Sequence, residues 1–147
     1  MDKLLRARAL DALARREHSR VELGRKLSAH SADEAELAQL LDELENRGWL
    51  SDARYAEQLV HARQSRYGNR KIVYELREQG VAETLIEIAL ETLKTTEMER
   101  ARTVWEKKFG AAAATAKERA QQIRFLQTRG FNPEVIYRVL NSPADAD

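Results

Sequence analysis

The sequence predicts an all-α fold: three tandem three-helix repeats stacked into an elongated, curved array. Three observations carry that expectation. Ala, Leu, Glu, Arg and Gln dominate a chain of 147 residues with only two prolines and six glycines, and their unbranched side chains lose little rotamer freedom in a helix. Helix start and stop signals alternate along the whole length. An apolar motif recurs, anchored on Leu27, Leu76 and Leu126.

The elements follow in order from these signals. Charged and short apolar residues alternate from the N-terminus, and a first helix is expected over 3–16. Ser19 and Glu22 form an S-x-x-E capping box, in which the hydroxyl accepts from the third amide of the helix and the Glu reaches back. It opens a helix over 19–28. Ser31 and Glu34 form a second box before 33–47, which stops at Arg47-Gly48-Trp49. Glycine there supplies the left-handed residue of a Schellman end, and an apolar residue follows it. Ser51-Asp52 and Gly68-Asn69 are the expected starts of 52–66 and 69–79, the latter closed by Gln79-Gly80-Val81. A helix over 82–93 is expected next. Boxes at Thr96…Glu99 and Thr115…Glu118 open 97–109 and 115–128, separated by a small-residue linker, Gly110 to Thr115. Arg129-Gly130-Phe131 closes the latter, and Asn132-Pro133 starts 133–140 with proline where its missing donor does no harm.

The nine expected helices group by repeat. Leu76-x3-Gly80-Val81-x3-Leu85-Ile86-x2-Ala89-Leu90 parallels Leu126-x3-Gly130-Phe131-x3-Val135-Ile136-x2-Val139-Leu140. Both put apolar groups on one helical face. Leu37, Leu40, Leu41 and Leu44 give the first unit a looser version in a more acidic helix. The expected units are 1–50, 51–95 and 96–141, followed by a disordered tail over 142–147. A unit of about 50 residues closes its own core poorly, so neighbours should stack or share helices.

Composition narrows the function. With 43% apolar and 33% charged residues the chain can bury a core. It has no cysteine, hence no disulfide framework or thiolate nucleophile. The N-terminus lacks the apolar stretch of a signal peptide, and no run of about 18 apolar residues could span a bilayer; a cytoplasmic protein is expected. His18, His30 and His61 are too far apart for a helical metal pair. Neither a phosphate-binding glycine loop nor a nucleophile elbow occurs. Most carboxylates fall in caps or at solvent-facing positions. No enzyme, cofactor or metal site is expected, and binding is the expected mode of action.

Charge alternates in blocks. Lys and Arg outnumber Asp and Glu by eight to four over 1–30 and five to two over 61–80, whereas acids lead by eight to two over 31–60. Basic residues recur near the corner between the first and second helices of each unit. The first unit has Arg15, Arg16, Arg20, Arg25 and Lys26, and the middle one Arg63, Arg66, Arg70 and Lys71 around Tyr67. The third has Lys107, Lys108, Lys117, Arg119 and Arg124. Guanidinium groups interleaved with an aromatic suit phosphate or carboxylate partners. Arg63, Arg66, Tyr67, Arg70, Lys71, Arg119 and Arg124 are the candidate contact residues, with the middle unit central. Trp49, Trp105, Tyr55 and Phe109 are expected to pack within or between units.

An ordered motif set adds to this reading. Arg16-x-His18-Ser19-x2-Glu22-Leu23-x2-Lys26-Leu27 comes first. Gly48-Trp49-Leu50-x-Asp52-x-Arg54-Tyr55-Ala56, Tyr67-Gly68-x2-Lys71-Ile72-x2-Glu75-Leu76-x3-Gly80-Val81 and Phe125-Leu126-x2-Arg129-Gly130-Phe131 follow. Together they resemble the RecX family of bacterial regulatory proteins across nearly the whole chain. Lys71 stands where the family pattern has Arg, keeping the charge but losing the fork. The resemblance implies a cytoplasmic protein without cofactor that binds the RecA filament on single-stranded DNA. It implies modulation, mainly inhibition, of RecA ATPase and strand exchange from the filament groove. A monomer is expected, with contacts to single- or double-stranded DNA made without sequence choice. A helix-turn-helix DNA-binding protein is the alternative, since three short helices with a tight turn permit it.

Overall fold

The computed structural model describes residues 3–141; the expected tail over 142–147 lies outside the described residues. Those residues form eight α-helices and no strand: α1 Lys3–Arg15, α2 Arg20–Ser28, α3 Glu34–Asn46, α4 Asp52–Arg63, α5 Asn69–Glu78, α6 Glu83–Lys108, α7 Ala116–Thr128 and α8 Pro133–Asn141.

Several start signals act as expected. Ser19, Ser51 and Thr115 accept from the amides of Glu22, Arg54 and Glu118. At α3 the cap is Asp33 instead of Ser31: its carboxylate takes the amides of Ala35 and Glu36, and Ser31 donates to the Asp33 carbonyl. A full negative charge at the positive end of the helix outcompetes a hydroxyl. The three stops share one geometry. Trp49, Val81 and Phe131 each donate back to Leu44, Leu76 and Leu126, at 3.0–3.2 Å, across a glycine with positive φ.

The expected break between 93 and 97 does not occur. Helix α6 runs unbroken for 26 residues, about 39 Å at 1.5 Å per residue. The buried positions Ile86, Leu93, Glu97, Ala101, Val104 and Trp105 continue one face through Thr96, and no Gly or Pro interrupts them. The Thr96 hydroxyl bonds back to the Leu93 carbonyl and receives Arg100 Nε at 2.9 Å, so it sits inside the helix and does not cap one.

Three separate cores follow one another along the chain. Leu5, Leu23, Leu27, Leu40, Leu44 and Leu50 build the first from α1–α3. Tyr55, Ile72, Leu76, Ile86 and Leu93 build the second from α4, α5 and the first half of α6. Trp105, Leu126, Phe131, Ile136 and Val139 build the third from the second half of α6, α7 and α8. One helix thereby serves two cores and fixes the second to the third. Trp105 and Tyr55 are buried as expected, and Phe109 meets Phe125 edge-on at 5.5 Å. Trp49 is not packed away: it is 42% exposed, under the guanidiniums of Arg6 and Arg47.

Both junctions use the same parts. The start of α2 meets the end of α5, where Ser19 Oγ donates to the Gln79 carbonyl at 2.7 Å. The start of α5 meets the end of α7, where the amides of Gly68 and Arg70 donate to the carbonyls of Arg129 and Gly130 at 2.7 and 3.0 Å. Contact there is so close that a Cβ on Gly68 would lie 2.3 Å from the Phe131 nitrogen.

Candidate binding surface

The corner after α4 is shaped by main-chain bonds. The amides of Arg66 and Tyr67 both turn back to the Arg63 carbonyl at 3.0 Å. From α6, Arg100 Nη1 reaches the carbonyls of Gln64 and Tyr67 at 3.1 and 2.8 Å, and its other nitrogen bonds Asn69 Oδ1. Burial pushes the Arg100 guanidinium below its ordinary value, opposed by the nearby Glu97 carboxylate. From α7, Arg129 Nη1 takes the Arg66 carbonyl at 3.1 Å. The corner is therefore presented rigidly toward the second half of α6.

A cleft of about 370 Å³ opens there, between Ser65, Arg66 and Tyr67 on one side and Val104, Lys107, Lys108, Phe125 and Arg129 on the other. Its aromatic groups are covered by cations. Arg129 lies 5.6 Å from the Tyr67 ring centre and 4.9 Å from that of Phe125. Lys71 lies 4.5 Å over Tyr67 and Lys108 5.5 Å over Phe125. Such contacts hold the charges in place without neutralising them.

Elsewhere part of the basic complement is ion-paired. Arg6, Arg16, Arg20, Arg47, Arg54, Arg77 and Arg138 pair with carboxylates. Among the described residues none of Arg66, Lys71, Lys107, Lys108 or Arg129 does. Five uncompensated cations around one cleft repel each other, and an anionic partner relieves that repulsion.

The seven candidate residues are thus divided. Arg66, Tyr67 and Lys71 come together at the cleft. Arg63 grips Glu75 of α5 through two bonds at 3.0 Å, and that carboxylate raises its pKa; it ties α4 to α5. Arg70 lines a different depression with Arg77 and Lys94. Arg119 lies over Tyr137 and bonds Asn141 at 3.0 Å, bracing α8. Arg124 is exposed on α7 with no ion pair to a described residue. The first unit's basic corner is not equivalent, since Arg16 and Arg20 are consumed by Glu22, Asp42 and Glu45. Sequence reasoning passed over Arg129 as part of a stop signal and took Phe125 only as part of a family motif. It also read most acidic residues as caps or solvated faces, whereas Glu97 is buried and holds the junction.

Fold and surface define a protein of tandem three-helix units with an uncompensated basic cleft where the second and third meet. Family models for the second and third three-helix domains of RecX match residues 51–90 and 95–140. The regulatory protein RecX of Leptothrix cholodnii is 48% identical over 92% of this chain and 87% of its own length. That of Ralstonia nicotianae is 45% identical over 97% and 89%. The crystal structure of RecX from Lactobacillus salivarius shares the fold, with a TM-score of 0.79 at 21% identity over 95% of this chain and 94% of that one. The chain belongs to the RecX family. Among the described residues no helix is long and apolar enough to cross a membrane.

Proposed function

We propose that this protein binds the RecA filament on single-stranded DNA and modulates it, mainly by inhibiting ATP hydrolysis and strand exchange. It acts as a cytoplasmic monomer seated in the filament groove, by binding and without chemistry of its own. The observation that carries this reading is the cleft at Arg66, Lys71, Lys107, Lys108 and Arg129, where five cations without an ion pair to a described residue gather around two aromatic rings. A nucleoprotein filament offers an anion at every nucleotide, and releasing counterions from it favours binding without sequence choice. Cations already lie over both aromatic rings, which favours phosphate contact over base stacking.

The test is a titration of the protein into RecA assembled on single-stranded DNA. ATP hydrolysis should fall at substoichiometric ratios, and binding should weaken steeply with salt. Unchanged hydrolysis at excess protein contradicts the reading.

A further inference from the structure

A second groove, of about 380 Å³, runs between α4 and the first half of α6, on the other side of Gln64 from the basic cleft. Ala53, Ala56, Val60, Leu85, Ile88 and Ala89 make an apolar surface in it. Ile88 is 63% exposed, an unusual place for a large aliphatic group on a helix with ample polar positions. No Lys or Arg lines the groove; Glu57 and His61 do. Glu91, one turn beyond Ile88 on the same face of α6, adds a second carboxylate. Neither Glu57 nor Glu91 is ion-paired with a described residue.

We infer that this groove receives one amphipathic helix of a protein partner, with an apolar stripe flanked by Lys or Arg. Three features select that occupant. The lining runs from Ala53 to Gln64 along α4, roughly 16 Å, or three helical turns. The three alanines let a partner backbone approach closely, and apolar anchors spaced at helical intervals suit the helix-in-groove mode. The free carboxylates attract a basic flank and repel nucleic acid and anionic lipid.

Resting on the proposed function, the inference divides the labour between two faces. The basic cleft meets phosphates, and the acidic-rimmed groove meets the recombinase protein. Charge of opposite sign on neighbouring surfaces fits a partner that is itself composite, part protein and part nucleic acid.

The experiment compares binding to recombinase-coated single-stranded DNA with binding to the same DNA bare. Two groove variants are used: Ile88→Glu, and the double variant Glu57→Lys with Glu91→Lys. The second changes only exposed side chains, so it stands if the first fails to fold. Both should lose about tenfold or more in affinity for the coated DNA, as hot-spot changes do, while neither loses affinity for bare DNA. Lys107→Glu with Lys108→Glu should weaken both. Groove variants that bind coated DNA like the wild type, or that lose bare DNA equally, overturn the groove's role and leave the proposed function standing. A wild-type protein that ignores coated DNA overturns both.

Discussion

The Glu97 carboxylate accepts the side-chain amide of Asn132 at 2.7 Å, joining the middle of α6 to the entry of α8. Its other oxygen takes the Asn69 amide at 3.0 Å and the Asn132 amide at 3.3 Å. A single buried group thus ties the middle of α6 to the starts of α5 and α8 at the junction beside the basic cleft. Replacing Glu97 with Ala strands three donors, each costing about 1–3 kcal/mol when buried and unpaired. We expect Glu97→Ala to lower unfolding stability by roughly 3 kcal/mol or more, measured by urea denaturation. A loss below about 1 kcal/mol contradicts the pinning role.

Glycines with similar backbone angles should respond differently. Gly48 and Gly130 both have positive φ, 75° and 89°. A Cβ on Gly48 meets nothing within 4 Å, whereas one on Gly130 would lie 2.4 Å from Lys71 Cβ. Gly48→Ala should cost only the left-handed penalty of roughly 1–2 kcal/mol. Gly130→Ala should cost at least about 2 kcal/mol more and disturb the cleft with it. Equal thermal shifts for the two variants would contradict the close junction.

Much of this was readable in the sequence, and the gaps have physical causes. Ser19, Thr115, Gly48, Gly80 and Gly130 mark helix ends because their signals act within one turn of the chain. Thr96 misled because a capping box says where a helix could start, while the buried face through Leu93, Glu97 and Ala101 decides whether it does. The site was half legible. Arg66 and Lys71 stood out by composition, but Lys107, Phe125 and Arg129 join them only through tertiary packing. No local pattern shows that Arg63 is engaged by Glu75 twelve residues on.

That engagement gives Arg63 a different phenotype from its neighbours. The pair is partly exposed, so its contribution is discounted to at most about 1 kcal/mol. Arg63→Ala should therefore lower stability slightly and leave filament binding unchanged, while Arg66→Glu should weaken binding with little change in melting temperature. Parallel melting and filament-binding measurements check this, and the reverse pattern contradicts the assignment.

His18 should make the first junction sensitive to acid. The side chain is buried, and its Nδ1 lies 3.0 Å from the Arg16 carbonyl. Burial lowers its pKa below the ordinary imidazole value; the Arg16 carbonyl and Glu22 oppose that shift, and the Arg16 and Lys26 charges add to it. A depressed histidine is neutral when folded and takes up its proton more readily when unfolded. Its contribution should be complete above about pH 6.5 and decline as pH falls toward the lower folded value. Chemical denaturation at a series of pH values should show that slope in the wild type and a shallower one in His18→Gln. Matching slopes would count against the role of His18.

The most direct measurement is RecA ATPase on single-stranded DNA, titrated with wild type and with the variant Arg66→Glu, Lys107→Glu, Lys108→Glu. We expect the wild type to suppress hydrolysis at substoichiometric amounts, and the variant, equally helical by circular dichroism, to require at least about tenfold more protein. Equal inhibition by the two proteins contradicts the cleft as the contact surface, and no inhibition by either contradicts the function itself.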